Sequence, residues 1–156
     1  MNLSLQHYFG VTPHLEELFA EIRARRGHRH ALRVLVVEDD PMTRRMMTRC
    51  VGNAHATLTA CDAHEAVEDY LLHAPDLVLL DIGLPGGVDG FSVLHQIMML
   101  DEDAFVVMVS GHDDVNTVLR ALDDGARYFI SKPVVKETLN DMVVAAAAHH
   151  GKQARC

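Results

Sequence analysis

The stretch RVLVVEDDP (33–41) sets five residues of strand length directly against three acids and a proline. It is apolar at nearly every position and rich in β-branched side chains. That pattern suits a parallel strand covered on both faces, since a half-exposed strand would alternate. DLVLLD (76–81) and AFVVMVS (104–110) read the same way, and ATLTA (56–60) and RYFIS (127–131) are weaker versions. Helical periodicity fills the gaps between them. Residues 42–52 carry Met42, Met46, Met47 and Cys50. Residues 63–73 open with Asp62 and Glu65 in capping-box spacing. Residues 90–100 carry Phe91, Leu94, Ile97 and Met98. Residues 114–124 align Val115, Val118, Leu119 and Leu122 before Gly125, and residues 135–149 align Leu139, Met142, Val143 and Ala146. Apolar stripes of this kind read as buried helix faces. Five β-α units in succession predict an α/β fold, an open parallel sheet with helices on both faces.

Ahead of this unit lies an appendage, residues 1–30, with the domain over 31–150 and a short tail, 151–156. The appendage holds one amphipathic helix, about 13–26, with Thr12 placed to cap it and Pro13 suited to its first turn. Leu15, Leu18, Phe19 and Ile22 form its apolar face, which is expected to meet a second chain or another partner in preference to its own domain. Arg23, Arg25, Arg26, Arg29 and Arg33 follow. They read as helix-end charge running into a solvated linker.

The 156 residues are 49% hydrophobic and 23% charged, and carry a formal net charge of -8 with histidines neutral. An acidic chain is a poor generic binder of nucleic acid, which needs basic groups to meet phosphates. There is no apolar run of membrane-spanning length. Cys50, Cys61 and Cys156 make no disulfide framework, and MNLSLQHYFG does not read as a secretory signal, so a cytoplasmic location is expected. The eleven histidines include the pairs His28/His30 and His149/His150, but neither pair has the spacing of a structural metal site.

In an open parallel sheet, ligands gather at the carboxyl ends of the strands. The polar residues that follow the apolar runs are Glu38, Asp39 and Asp40, then Asp81, Ser110 and Lys132. Singly, each has an ordinary explanation as a helix cap, a turn residue or a solvated lysine. Together they would bring carboxylates, a hydroxyl and an ammonium to one rim. Clustered carboxylates repel unless a cation sits among them, and hard oxygen donors suit Mg²⁺. A carboxylate can then serve as nucleophile towards phosphorus, with the cation and Lys132 neutralising the spreading charge.

VLVVEDDP, DLVLLDIGLPGGVDGF, VVMVSGHDD and ARYFISKP, in that order over about residues 32–150, resemble the receiver domain of two-component response regulators. The resemblance implies a doubly wound five-stranded parallel sheet of order 2-1-3-4-5. It implies that Asp81 accepts the phosphoryl group, that Glu38, Asp39, Asp81 and the Gly83 carbonyl hold Mg²⁺, and that Ser110 and Lys132 contact the phosphoryl group. Gly111 fits the small residue beside it, and a cis bond is implied at Lys132-Pro133. Ser110 and Phe129 match the switch positions, with Phe129 lacking the hydroxyl of the common tyrosine. Gly83 and His112 match the positions that tune phosphoryl lifetime. The segment between Asp81 and Asp89-Gly90 is one residue longer than usual, and a glycine is expected to loop out there without disturbing Asp81.

The donor implied is a histidine kinase or a histidine phosphotransfer protein. The chain is expected to act as a phosphoacceptor rather than a turnover enzyme. It would signal to an unknown output protein through the 114–149 face, which, like the N-terminal helix, is also a candidate homodimer surface. No helix-turn-helix pattern follows residue 150, so the output is expected through another molecule or a further domain. Two other readings are a pseudo-receiver that binds without phosphorylation and an aspartyl-phosphate phosphatase. The latter usually carries a second acid two residues after its nucleophile, where this chain has Gly83.

Overall fold

The computed structural model describes residues 12–152, with side chains from Leu15 onward. Thr12 and Pro13 stand in the first turn of the N-terminal helix, while the Thr12 side chain, residues 1–11 and residues 153–156, including Cys156, lie outside that description. The elements run α1 (Thr12–Gly27), β1 (Arg33–Val37), α2 (Pro41–Val51), β2 (Ala56–Ala60), α3 (Ala63–His73), β3 (Leu77–Asp81), α4 (Gly90–Leu100), β4 (Val106–Ser110), α5 (Val115–Asp123), β5 (Tyr128–Ser131) and α6 (Lys136–His149). All strand pairs are parallel and the order is β2-β1-β3-β4-β5.

The apolar runs of the central strands are buried because both faces are covered. Val34, Val36, Leu77, Leu79, Val107 and Val109 face a layer containing Met47 of α2 and Leu139, Val143 and Ala146 of α6. Leu35, Val37, Val78, Leu80, Val106 and Met108 face the opposite layer, with Tyr70 of α3, Leu94 and Ile97 of α4 and Ala121 of α5. Caps fix where helices begin. Asp40, Asp62, Asp89 and Asp114 each accept a hydrogen bond from the backbone N–H three residues on. The Glu65 carboxylate reaches back to the Cys61 N–H at 2.8 Å, one residue earlier than the usual capping box.

Two apolar stripes do not lie where periodicity placed them. Val115, Leu119 and Leu122 of α5 are 71%, 53% and 42% exposed, and Ala121 is its one buried residue. The helix docks through a small side chain, so the wide stripe faces outward. On α2, Met42 and Met46 are likewise exposed, and only Met47 and Val51 are buried.

The N-terminal helix corrects a second expectation. Its apolar face is filled by its own domain: Ile22 is fully buried in the α3–α4 layer, and Leu18 and Phe19 pack against it. The helix is thus anchored to its own domain through this face, with Leu15, Leu18 and Phe19 half-buried. Nor are the arginines a solvated linker. Arg26 is buried and donates to Asp101 at 2.5 Å and to the Tyr70 hydroxyl at 2.9 Å, and Tyr70 donates to the same Asp101 oxygen at 2.7 Å. Burial works against the Asp101 charge, but Arg26 and the Tyr70 and Asp103 donors outweigh it and hold the carboxyl below its usual range. Arg25, Arg29 and Arg33 donate to the carbonyls of Leu71, Leu72, His73 and Ala74, the acceptors that the end of α3 leaves without helical partners. These contacts lie at the amino ends of the strands, opposite the acidic rim.

Candidate functional site

β1, β3 and β5 each deliver a charged residue to the same rim. Glu38 extends the β1 ladder, its N–H donating to the Ala60 carbonyl at 3.0 Å, and its side chain is buried. Asp39 follows, exposed. Asp81 ends β3 and is 7% exposed. Oxygens of Glu38, Asp39 and Asp81 lie within 4.8 Å of one another, close enough to share one cation. Lys132 follows β5, and its Nζ donates to Glu38 Oε2 at 2.7 Å and stands 3.3 Å from Asp81 Oδ1. The Lys132-Pro133 bond is cis.

The charge balance explains the pKa directions. Burial pushes the Glu38 carboxyl up, and Asp81 adds to that push. The donors from Lys132 and Asp40 offset it only in part. Burial pulls the Lys132 ammonium down, yet Glu38 and Asp81 more than reverse this and raise it. Both shifts describe a pocket short of positive charge. Three oxygen donors at this spacing, partly open to solvent, suit a divalent ion such as Mg²⁺ that keeps some of its water.

Ser110 ends β4 and is 3% exposed. Its neighbour Val109 pairs with Asp81, so Ser110 stands one step beyond the carboxylate on the adjacent strand. Ser110 Oγ accepts from the His112 N–H at 3.0 Å, while the His112 side chain is exposed. Gly111 has nothing within 4 Å of where a Cβ would stand, leaving open space beside Ser110. Gly83 lies beside Asp81: a Cβ there would come 3.9 Å from Asp81 Oδ2. Phe129 is half-buried against the α3–α5 layer. The long loop after β3 is absorbed by Gly86 and Gly87, both left-handed with φ of 82° and 74°, while Asp81 keeps its register with Val109.

Three contributors were not singled out by sequence reasoning. Arg44 donates to the carbonyls of Glu38 and Asp39 at 2.7 and 3.1 Å, fixing the acid-bearing loop from α2. An arginine five residues after an acidic pair would have been its only signal. Gly90 approaches so closely that a Cβ would meet the Asp81 carbonyl oxygen at 2.2 Å. Its sequence signal was the Asp-Gly pair, read as a landmark rather than as a contact. Ser131 Oγ donates to Asp113 Oδ2 at 2.9 Å, tying β5 to the loop after Ser110. Nothing in the spacing marks that pair.

Comparison with known proteins gives the same picture. Residues 34–144 match the response regulator receiver domain family. Chemotaxis protein CheY of Bacillus subtilis is 34% identical over 105 residues, covering 66% of this chain and 87% of its own. The C4-dicarboxylate transport transcriptional regulatory protein DctD of Rhizobium meliloti is 32% identical over 107 residues, covering 68% of this chain; the match spans only 23% of DctD. A chain in the crystal structure of the CheX-CheY-BeF3-Mg+2 complex from Borrelia burgdorferi superposes with a TM-score of 0.68 at 33% identity, covering 73% of this chain and 87% of its own. Among the described residues no helix is long and apolar enough to cross a membrane.

Proposed function

Since the chain belongs to the response regulator receiver domain family of two-component signalling, we propose that it carries a phosphoryl group on Asp81 and that this modification switches a protein-binding surface. The observation that carries the reading is the meeting of Glu38, Asp39 and Asp81 within 4.8 Å, with the Lys132 ammonium on Glu38 and beside Asp81. Glu38, Asp39, Asp81 and the Gly83 carbonyl would hold Mg²⁺, which supplies positive charge to the phosphoryl oxygens and lowers the cost of in-line transfer. An Asp81 oxygen forms the bond to phosphorus as the donor's phosphorus–nitrogen bond breaks. Lys132 stands where it can pair with a phosphoryl oxygen as well as with Glu38. The Ser110 hydroxyl, one step along the next strand, turns to donate its proton to the phosphoryl group.

The donor is a histidine kinase or a histidine phosphotransfer protein in the cytoplasm. Arg44 and the exposed Met42 and Met46 flank the acidic rim where such a protein would dock. Ser110 and Phe129 pass the change to the outer face of α5, β5 and α6. Exposed Val115, Leu119, Leu122, Tyr128 and Val144 give that face an apolar surface for an output protein or a second copy. Gly83 and His112 set the lifetime of the acyl phosphate. The chain acts as a stoichiometric acceptor rather than an enzyme.

Intact mass after treatment with acetyl phosphate and Mg²⁺ tests this. The wild type gains one phosphoryl group and Asp81→Asn gains none. No gain in the wild type would leave a pseudo-receiver; continuous release of phosphate from free substrate would make the chain a phosphatase.

A further inference from the structure

Resting on the phosphoacceptor reading, we propose that the Ser131–Asp113 hydrogen bond is a latch that holds the loop after Ser110 in its resting position and sets how readily the domain switches. Ser131 ends β5, immediately before Lys132. It pairs with Ser110 across the β4–β5 ladder, and the Lys132 N–H donates to the Ser110 carbonyl at 2.9 Å. The two strand ends are therefore joined by backbone. From this joined pair, Ser131 Oγ reaches the Asp113 carboxylate at 2.9 Å and the His112 N–H reaches Ser110 Oγ at 3.0 Å. The loop of residues 111–114 is pinned at both points.

Ser110 Oγ accepts from the His112 N–H and still has its own proton to donate, so a swing of Oγ toward a group on Asp81 draws the His112 N–H, and the loop, with it. As Ser110 turns, the loop follows only when Asp113 leaves Ser131. The next residue, Asp114, caps α5, accepting from Thr117 N–H at 3.1 Å and Thr117 Oγ at 2.6 Å. A shift of the loop is thus a shift of the α5 start. α5 is free to respond because Ala121 is its one buried residue. Its far end is held by polar contacts instead: Asp124 pairs with His95 at 3.2 Å, and the Arg120 guanidinium lies 3.8 Å above the Phe91 ring. The latch joins the residue beside Lys132 to the helix that carries the exposed apolar stripe, and its loss favours the switched form.

Beryllofluoride with Mg²⁺, titrated by calorimetry, serves as the phosphoryl probe. Ser131 and Asp113 are both exposed. A solvent-exposed hydrogen bond lies at the low end of its usual range, so Ser131→Ala should bind the probe roughly threefold more tightly than wild type. Asp113→Ala should match it, the double variant should add nothing further, and Ser131→Thr, which keeps the hydroxyl, should behave as wild type. Hydrogen exchange at residues 111–114 should quicken in Ser131→Ala before any probe is added. Unchanged or weaker binding by Ser131→Ala, with wild type binding normally, overturns the latch and leaves the phosphoacceptor reading standing. Failure of wild type itself to bind overturns that reading, and the latch with it.

Discussion

Lys132 Nζ lies closer to Glu38, at 2.7 Å, than to Asp81, at 3.3 Å. The ammonium therefore compensates Glu38 first and Asp81 second. On the proposed reading it competes with a divalent cation for the same negative charge and would pair with a phosphoryl group carried on Asp81. Lys132→Met separates these effects. Removing a unit charge a few ångströms from the site should strengthen Mg²⁺ binding by at least about threefold, after allowance for a partly solvated ammonium. The same change should weaken beryllofluoride by about tenfold or more, since a charge-assisted contact is lost. Calorimetric titrations of each ligand check the two signs separately; movement in one direction for both would refute the division of labour.

Gly90 is held by contact rather than by conformation. It has no positive φ, yet a Cβ would fall 2.2 Å from the Asp81 carbonyl oxygen and 2.8 Å from Ile82 Cα. Both are backbone atoms, so the strand end itself must move. Gly90→Ala should cost roughly 1–3 kcal/mol in urea unfolding, the usual range for overpacking. Gly27→Ala, which meets nothing within 4 Å, should leave the midpoint close to wild type or slightly above it. Equal midpoints for the two variants would contradict the close approach.

The strands and the acidic rim were legible because each rests on a local signal, whereas the strand order came only with the resemblance to receiver domains. An unbroken apolar run can only be buried on both faces, and a polar residue directly after it can only stand at the sheet's rim. The helices were legible as helices, but the direction of their stripes was not. Val115, Leu119 and Leu122 share a face by periodicity, and periodicity is silent on whether that face looks inward. Ala121, the residue that docks, is too small to register in the pattern. The arginines failed for a related reason. Arg26 is 4% exposed, and only the fold shows that Asp101 and Tyr70, distant in sequence, are waiting for it. Similarly, Ser131 and Asp113 are ordinary polar residues until two neighbouring segments bring them together.

That buried Arg26 makes the N-terminal helix part of the domain. Removing one partner of a buried ion pair strands the other, at a cost of about 3–5 kcal/mol. Against a typical domain stability of roughly 5–15 kcal/mol, this is a large fraction. Arg26→Met should lower urea stability by that order. Asp101→Asn should do less harm, because its amide keeps an acceptor for Tyr70 and Arg26. The double variant should lose less than the sum of the two. Arg26→Met within about 0.5 kcal/mol of wild type would mean that the helix is only loosely attached.

His150 gives this amino-end side of the sheet a pH dependence. Its Nε2 lies 3.0 Å from the Asp76 carbonyl oxygen. Burial, followed by the charges of Arg26 and His149, lowers its pKa from 6.5 to about 4. The folded chain thus refuses a proton that the unfolded chain accepts. Stability from this group is fully present above about pH 6.5 and is lost as pH falls towards about 4. One pKa unit corresponds to about 1.4 kcal/mol, so with residual solvation the loss is about 1–3 kcal/mol. Asp101 acts in a lower window, because its depressed pKa keeps it charged until pH falls below the usual carboxylate range. His150→Gln retains an N–H for the Asp76 carbonyl and cannot titrate. Urea unfolding between pH 7 and pH 4.5 should therefore show a shallower decline in the variant than in wild type, and parallel declines would rule out His150 as the source.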